Sequence, residues 1–299
     1  FYSRNMNSIK VSDCPACESK QTKFVFIPSQ SSWSRFQLLS EKKYKSCMNP
    51  WVNSLDLKIK QCDNCLHLWH HTQPDFSSLL EMYDSSVALY KKSVSHDPTQ
   101  KIIKSLKALY KLATKLSKSQ PTFLDFGSGR GKWSKAAVIA GFKVWAYEPS
   151  LKRASDGYKD GFTIVSDISE LNNLQFDVVN LEQVLEHTQN PFEIIKSLMP
   201  HLENKSIIRI TTPNLGKYNS KKLWSDFPFS GNKMHVLSPY EHLQGFNSVS
   251  LRKLLSRVNL YQVNNLNVLR THPVQQLRFF GGFLTKRIDT TSVIVSLNK

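Results

Sequence analysis

Beyond residue 120 the chain alternates short apolar runs with segments of helical period. The runs "TFLDF", "KVWAYE", "FTIVS", "FDVVNL" and "SIIRIT" are too short for helices and rich in β-branched or aromatic residues, which predicts five strands. Helices are predicted between them over 132–140, 151–158 and 191–200. After a long aromatic stretch come a helix over 248–258 and two further runs, "YQVNNLNVL" and "TSVIVSL", placed to add at one sheet edge. Strands separated by helices predict a parallel, doubly wound α/β sheet.

The first third reads differently. Residues 11–75 hold short strand-like pieces, "TKFVFI" and "LDLKIK", and predict a small separate module. "QPDFSSLLEMYDSS" starts a helical connector over 76–120, mostly helix from 86 to 118. In that connector Lys101, Lys104, Lys107, Lys111, Lys115 and Lys118 recur at helical spacing, with Ile103, Leu106, Tyr110 and Leu116 opposite. Such a helix is amphipathic with a basic face, and most such faces are simply solvated. The remaining segment, 121–299, is the expected α/β domain.

Composition changes this picture little. Of 299 residues, 40% are hydrophobic and 21% charged, an ordinary globular balance. No apolar run reaches the roughly 18–20 residues of a membrane span. The opening "FYSRNMNSIK" is polar, unlike a secretory signal; Met6 offers a translation start, with residues 1–5 as an upstream extension. The expectation is a soluble, cytoplasmic protein. The net charge of +17 permits an anionic partner such as nucleic acid, but the lysines are spread along the chain and track its abundance of Asn, Ser and Ile.

Candidate chemistry begins at "LDFGSGRGKW". A strand ends in Asp125, Gly127, Gly129 and Gly131 follow at every second position, and a helix starts at Lys132. Strand, glycine turn and helix start together make a cofactor cradle. The dinucleotide fingerprint G-x-G-x-x-G needs a third glycine at 132, where this chain has Lys. Asp125 before the turn would repel a pyrophosphate and suit a cation. S-adenosylmethionine carries a sulfonium and an amino group and has no phosphate. Glu148, ending the second strand, is placed to accept ribose hydroxyls, as it would be for a dinucleotide too.

Four of the five cysteines form two C-x-x-C knuckles, Cys14/Cys17 and Cys62/Cys65. Two such pairs close a tetrahedral structural zinc site. The 44 residues between the pairs exceed the usual zinc-ribbon interval. A redox C-x-x-C would want a helix start in a thioredoxin-like unit, and short strand-like pieces flank these pairs instead. Cys47 reads as a free thiol. His67, His70 and His71 follow the second knuckle, and any of them is an alternative ligand.

From about 121 to 215 the chain resembles class I S-adenosylmethionine-dependent methyltransferases, through "LDFGSGRG", "YEPS", "SDISEL", "FDVVNLEQVLEHTQNP" and "IIRITTPN". Leu185-Glu186-His187 followed by Pro191, and the later "EHLQGFNSVSLRKLLSRVNL", resemble the ubiquinone-biosynthesis-like branch. The knuckles resemble the N-terminal zinc module of some sugar C-methyltransferases. The resemblance implies a Rossmann-like domain after a zinc-ribbon-like module. It implies that Asp125, Phe126, Gly127, Ser128, Gly129 and Gly131 hold the methionine part of the cofactor. Glu148 then takes the ribose, bordered by Pro149 and Ser150; Asp167 and Ile168 border the adenine; Leu181, Glu182 and Gln183 follow the fourth strand and face the cofactor. The acceptor it implies is a small molecule, a nucleotide-linked sugar or glycan-biosynthesis intermediate. The rivals are an RNA or protein methyltransferase gripping a polymer with the basic helix and zinc module, and a non-catalytic scaffold of the same fold.

Three side chains are candidates for a general base. His187 lies just after the fourth strand. Tyr240 and His242 lie in the aromatic stretch with Trp224, Phe227, Phe229 and His235, where a doubly wound sheet binds its ligands. Glu186 reads as an orienting group. "FFGGFL", 279–284, reads as an edge-strand connection.

Overall fold

Strand pairing and packing gather the chain into units drawn from separate stretches of sequence. The computed structural model describes residues 7–44, 56–84, 97–117, 120–154, 161–215, 229–230, 233–234, 236–237, 241–262 and 290–297. Two units emerge, each with its own core. The first comprises Phe1–Val94, Leu185–Ile194 and Pro213–Leu254; the second comprises Ser95–Val184, Ile195–Thr212 and Leu255–Lys299.

In the first unit β1 (Ser8–Lys10) pairs antiparallel with β5 (Thr72–Pro74). Strands β2 (Thr22–Phe26), β3 (Ile59–Cys62), β4 (Leu68–His70) and β13 (Gln244–Gly245) form an antiparallel sheet in the order β13-β4-β3-β2. A short hairpin, β11 (Phe229–Ser230) with β12 (Lys233–Met234), forms a separate two-stranded sheet in this unit. Helix α1 (Gln30–Tyr44) is inserted between β2 and β3. That insertion accounts for the long interval between the knuckles: it lengthens the connection without moving the paired strands apart. Helix α2 (Phe76–Met82) is capped by Asp75, whose carboxylate accepts the Ser78 N–H at 2.8 Å. The core gathers Phe36, Leu57, Ile59, Leu68, Leu79, Met82, Leu215, Leu237 and Leu243. Three of these come from beyond residue 213, so the small module is completed by distant chain.

The second unit is the predicted doubly wound sheet. Its strands are β6 (Thr122–Phe126), β7 (Lys143–Tyr147), β8 (Thr163–Val165), β9 (Phe176–Glu182), β10 (Leu202–Pro213), β14 (Leu260–Gln262) and β15 (Thr290–Leu297). The order is β14-β15-β10-β9-β6-β7-β8, parallel from β8 through β10, with β14 antiparallel to β15. The two late strands add at the β10 edge, as the sequence pattern predicts. Helices α4 (Lys132–Ala140), α5 (Leu151–Ala154), α6 (Pro191–Leu198) and α7 (Ser248–Ser256) match the predicted positions, α5 being described only to Ala154.

Helix α3 (Gln100–Leu116) starts at Thr99, whose hydroxyl accepts the Ile102 N–H. It buries Ile103, Leu106, Leu109 and Ala113 against Ala136, Ala137 and Ala140 of α4 and against Phe123, Val144, Val178 and Ile207 of the sheet. Leu116, expected on that face, is 38% exposed, because it is the last helical residue and lies beyond the sheet-facing stripe. Lys101, Lys104, Lys107, Lys111 and Lys115 are exposed.

Candidate functional site

Strand order reverses at β6: β7 and β8 lie to one side, β9 and β10 to the other. In open α/β sheets ligands bind at the carboxyl ends of the strands at such a reversal. The glycine turn sits there. Gly127, Gly129 and Gly131 all have positive φ, at 73°, 57° and 76°. The N–H groups of Gly127 and Ser128 both donate to the Tyr147 carbonyl, at 2.9 and 3.0 Å, which ties the turn to the end of β7. A Cβ at Gly127 would stand 2.8 Å from Val184 Cγ2, and one at Gly131 would stand 2.6 Å from Phe162 Cζ. Both positions therefore exclude a side chain on conformational and steric grounds.

Glu148 closes the other side of the cradle. It is 3% exposed; its Oε2 accepts the Gly129 N–H at 2.7 Å and its Oε1 the Ser150 N–H at 3.1 Å. A carboxylate offers about four acceptor positions, so capacity is left for ligand hydroxyls.

Asp125 belongs to a transverse row. Phe123, Val178 and Ile207 are register partners on β6, β9 and β10 and lie in the apolar core. Two residues further along, on the same face, the next row is Asp125, Asn180 and Arg209. Asn180 Nδ2 donates to Asp125 Oδ1 at 2.8 Å, and Ser134 Oγ of α4 donates to Asp125 Oδ2 at 2.6 Å. Arg209 Nη1 donates to Asn180 Oδ1 at 2.6 Å and to Glu182 Oε2 at 2.5 Å. Thr211 Oγ1 donates to the same Glu182 oxygen at 2.7 Å. The Trp133 ring lies under the guanidinium, 4.2 Å from its carbon. Burial pushes the Asp125 carboxyl up to about 6, and the Glu182 charge pushes the same way, against the lowering bonds from Ser134 and Asn180.

The first unit holds two further clusters. His187 and His242 meet edge to face with ring centroids 4.6 Å apart. His187 Nδ1 lies 2.7 Å from the Tyr83 hydroxyl and against the Glu241 carbonyl; His242 Nδ1 lies 2.9 Å from the Val236 carbonyl. A carbonyl only accepts, so each Nδ1 carries a proton. Buried Glu186 is close enough to join both rings as a ligand atom.

The second cluster is sulfur. Cys14 Sγ and Cys65 Sγ are 3.6 Å apart, as are Cys17 Sγ and Cys62 Sγ, and all four lie within 4.8 Å of one another. These separations far exceed a disulfide bond. They approach the edge of about 3.8 Å expected when four thiolates surround one ion at about 2.3 Å. The knuckles repeat each other. Glu18 and Leu66, the residues after each pair, have φ of 60° and 59° and donate their N–H to the Cys14 and Cys62 carbonyls at 2.8 and 3.0 Å. Backbone N–H groups two and three residues on support the Cys14 and Cys62 sulfurs alike. The donor set fits a tetrahedral ion.

Residues 99–265, more than half of the 299, match the model of a family described as a methyltransferase domain. The chain belongs to that family of methyltransferases. Its fold is also that of solved structures. The plantazolicin methyltransferase BpumL in complex with SAH is 15% identical, with a TM-score of 0.51 over 74% of this chain and 94% of that one. A complex of BpumL with a triazolic desmethylPZN analog and SAH is 11% identical, with a TM-score of 0.50 over 89% and 100%. No curated protein matches the chain.

In this methyltransferase the structure brings most candidate residues together within their own units. Phe126 stacks on Tyr147 with centroids 4.6 Å apart, and Ser150 is buried beside Glu148. Pro149 is half-buried between them. Asp167 caps the short helix that begins at Ile168; its exposed carboxylate is held below the usual range by the Ser169 N–H. Leu181 and Glu182 close β9 instead of following it, and the Leu181 side chain is fully buried. Gln183, at φ 54°, makes the turn after the strand, its N–H donating to the Thr211 carbonyl at 3.0 Å. Tyr240, Cys47, Trp224, Phe227, His235 and the 279–284 segment lie outside the described residues. His67, the nearest alternative ligand in sequence, is turned into the core, its Nε2 3.0 Å from Gln244 Oε1. Sequence reasoning missed Asn180, Arg209, Ser134 and Thr211. The available signal was a polar residue inside each of two apolar runs, Asn180 in "FDVVNL" and Arg209 in "SIIRIT".

Proposed function

We propose that this methyltransferase uses S-adenosylmethionine, and that its acceptor is a small molecule, a nucleotide-linked sugar or glycan-biosynthesis intermediate. The observation that carries the cofactor reading is the cradle at the strand reversal: a glycine turn flanked by two buried carboxylates, Asp125 and Glu148, with Lys132 in place of the third dinucleotide glycine. Such a cradle favours a cationic, hydroxyl-bearing ligand over a pyrophosphate. The cofactor supplies a methyl group already activated on a sulfonium. The chain's part is then to orient and desolvate: Asp125 and the turn hold the methionine end, Glu148 the ribose, and Asp167 with Ile168 the adenine edge. His187 or His242 takes a proton from the acceptor where its chemistry requires that.

The four cysteines are proposed to hold one structural zinc, closing the module in the manner of the sugar C-methyltransferase appendage. The ubiquinone-biosynthesis-like motif around His187 supports a small acceptor. BpumL, which shares the fold, is a plantazolicin methyltransferase.

Calorimetry tests the cofactor reading: S-adenosylhomocysteine is expected to bind and NAD is not, and Gly127→Val is expected to abolish binding. NAD binding without a response to S-adenosylhomocysteine would overturn it. Labelled cofactor incubated with fractionated cell extract then identifies the acceptor.

A further inference from the structure

We propose that Arg209 is a positioning residue for the cofactor, holding the carboxylates of Asp125 and Glu182 as a fixed, net negative pair that faces the cationic part of S-adenosylmethionine. The proposal rests on the cofactor reading above and adds to it a device that reading does not use. A guanidinium in the middle of a buried strand is costly unless it is paired. Here it is 6% exposed and bonded to two side chains of the neighbouring strand, Asn180 and Glu182.

The bond to Asn180 decides which way that amide points. Arg209 can only donate, so the atom it meets is Oδ1, and Nδ2 is left to donate to Asp125. Without the guanidinium the amide is free to turn its oxygen toward the Asp125 carboxylate, replacing an attraction with a repulsion. The same nitrogen neutralises Glu182, which Thr211 holds from the other side. The Trp133 ring fixes the guanidinium plane. The groups reaching Asp125 are thus Ser134 from α4, Asn180 and Glu182 from β9, and Arg209 acting from β10 through Asn180. Two carboxylates and one cation, which pairs directly with Glu182 and reaches Asp125 through Asn180, leave one negative charge, the complement of a sulfonium.

The experiment measures S-adenosylmethionine affinity by calorimetry between pH 5 and 9 in wild type, Arg209→Met, Arg209→Lys and Glu182→Gln. In wild type the affinity is expected to fall as the pH drops through about 6, where Asp125 takes up its proton. Arg209→Met removes the cation and should move that midpoint up by about 1 pH unit or more. Glu182→Gln removes the neighbouring anion and should move it down. Arg209→Lys keeps the charge but cannot span both partners, and should fall between wild type and Arg209→Met. Loss of packing alone lowers melting temperature and affinity without moving the two midpoints in opposite directions. If Arg209→Met does not fold, Arg209→Lys and Glu182→Gln carry the test. Unchanged midpoints, or shifts of one sign in all variants, overturn the role of Arg209. The pH dependence of the melting temperature of unliganded protein reads the same carboxyl without cofactor. Opposite shifts there, with no binding of S-adenosylmethionine by wild type, would retire the cofactor reading while leaving the Arg209 linkage standing; absence of shifts there overturns the linkage itself.

Discussion

The sulfur cluster of the first unit and the carboxylate row of the second are both buried polar groups, but they are held in different ways. Cys14 and Cys62 take backbone N–H groups from their own knuckles, and His187 and His242 lean on the carbonyls of Glu241 and Val236. Asp125, Asn180, Arg209, Glu182 and Thr211 hold one another, side chain to side chain, across three strands. Glu148 is the exception in the second unit, since backbone N–H groups of Gly129 and Ser150 fix it. A backbone contact stays in place when a neighbouring side chain is substituted, so each group keeps that part of its support. A side-chain row transmits a substitution to every member.

The largest test of that contrast is the metal. Purified protein should contain about one zinc per chain, and Cys62→Ser should release it. Structural zinc contributes about 10–16 kcal/mol of apparent binding energy in small peptides, so the first unit should lose its thermal transition while S-adenosylhomocysteine still binds the second. Metal-free protein with four freely reactive thiols would remove the ion from the comparison.

Next in size are the histidines. If backbone carbonyls hold them independently, His187→Ala and His242→Ala should separate: loss of the base lowers turnover by about 10²–10⁴-fold at saturating cofactor, and loss of its neighbour costs far less. Cofactor affinity, measured in parallel, should stay near wild type in both. Equal, large losses in the two variants would show that the pair acts as a unit, as the carboxylate row does.

The smallest expected effect concerns Asp125. Its folded pKa of about 6 stands above the ordinary 3.8, so the folded state binds its proton more tightly than the unfolded state does. Its contribution to stability is complete below the unfolded value and is lost as the pH rises through 6, an expense of about 3 kcal/mol at neutral pH. Asp125→Asn should therefore melt higher than wild type at pH 7.5, lose that advantage at pH 4, and lose S-adenosylmethionine affinity. Thermal melts at the two pH values check the sign; an Asn variant less stable at pH 7.5 would show that the row needs the charge to fold.

Much of this is legible in the sequence alone. Each of the five parallel strands has its own apolar run, and the glycine turn its own spacing, because a left-handed conformation at Gly127 and Gly131 is a local demand that only certain residues meet. The knuckles are local too: two thiols three residues apart reach one point from a single turn. Leu116 went the other way, since periodicity says which face a residue shares and not where the neighbouring sheet ends.

What only the tertiary structure decided is which local pieces meet. It brought Cys14 to Cys65 across 51 residues, laid β13 onto β4, and placed β15 between β10 and β14. It also set Asp125, Asn180 and Arg209 in one register, turning two unremarked polar residues into the support of the cradle. Register depends on how side chains from separate segments fit one another, and no single window of sequence contains both halves of that fit.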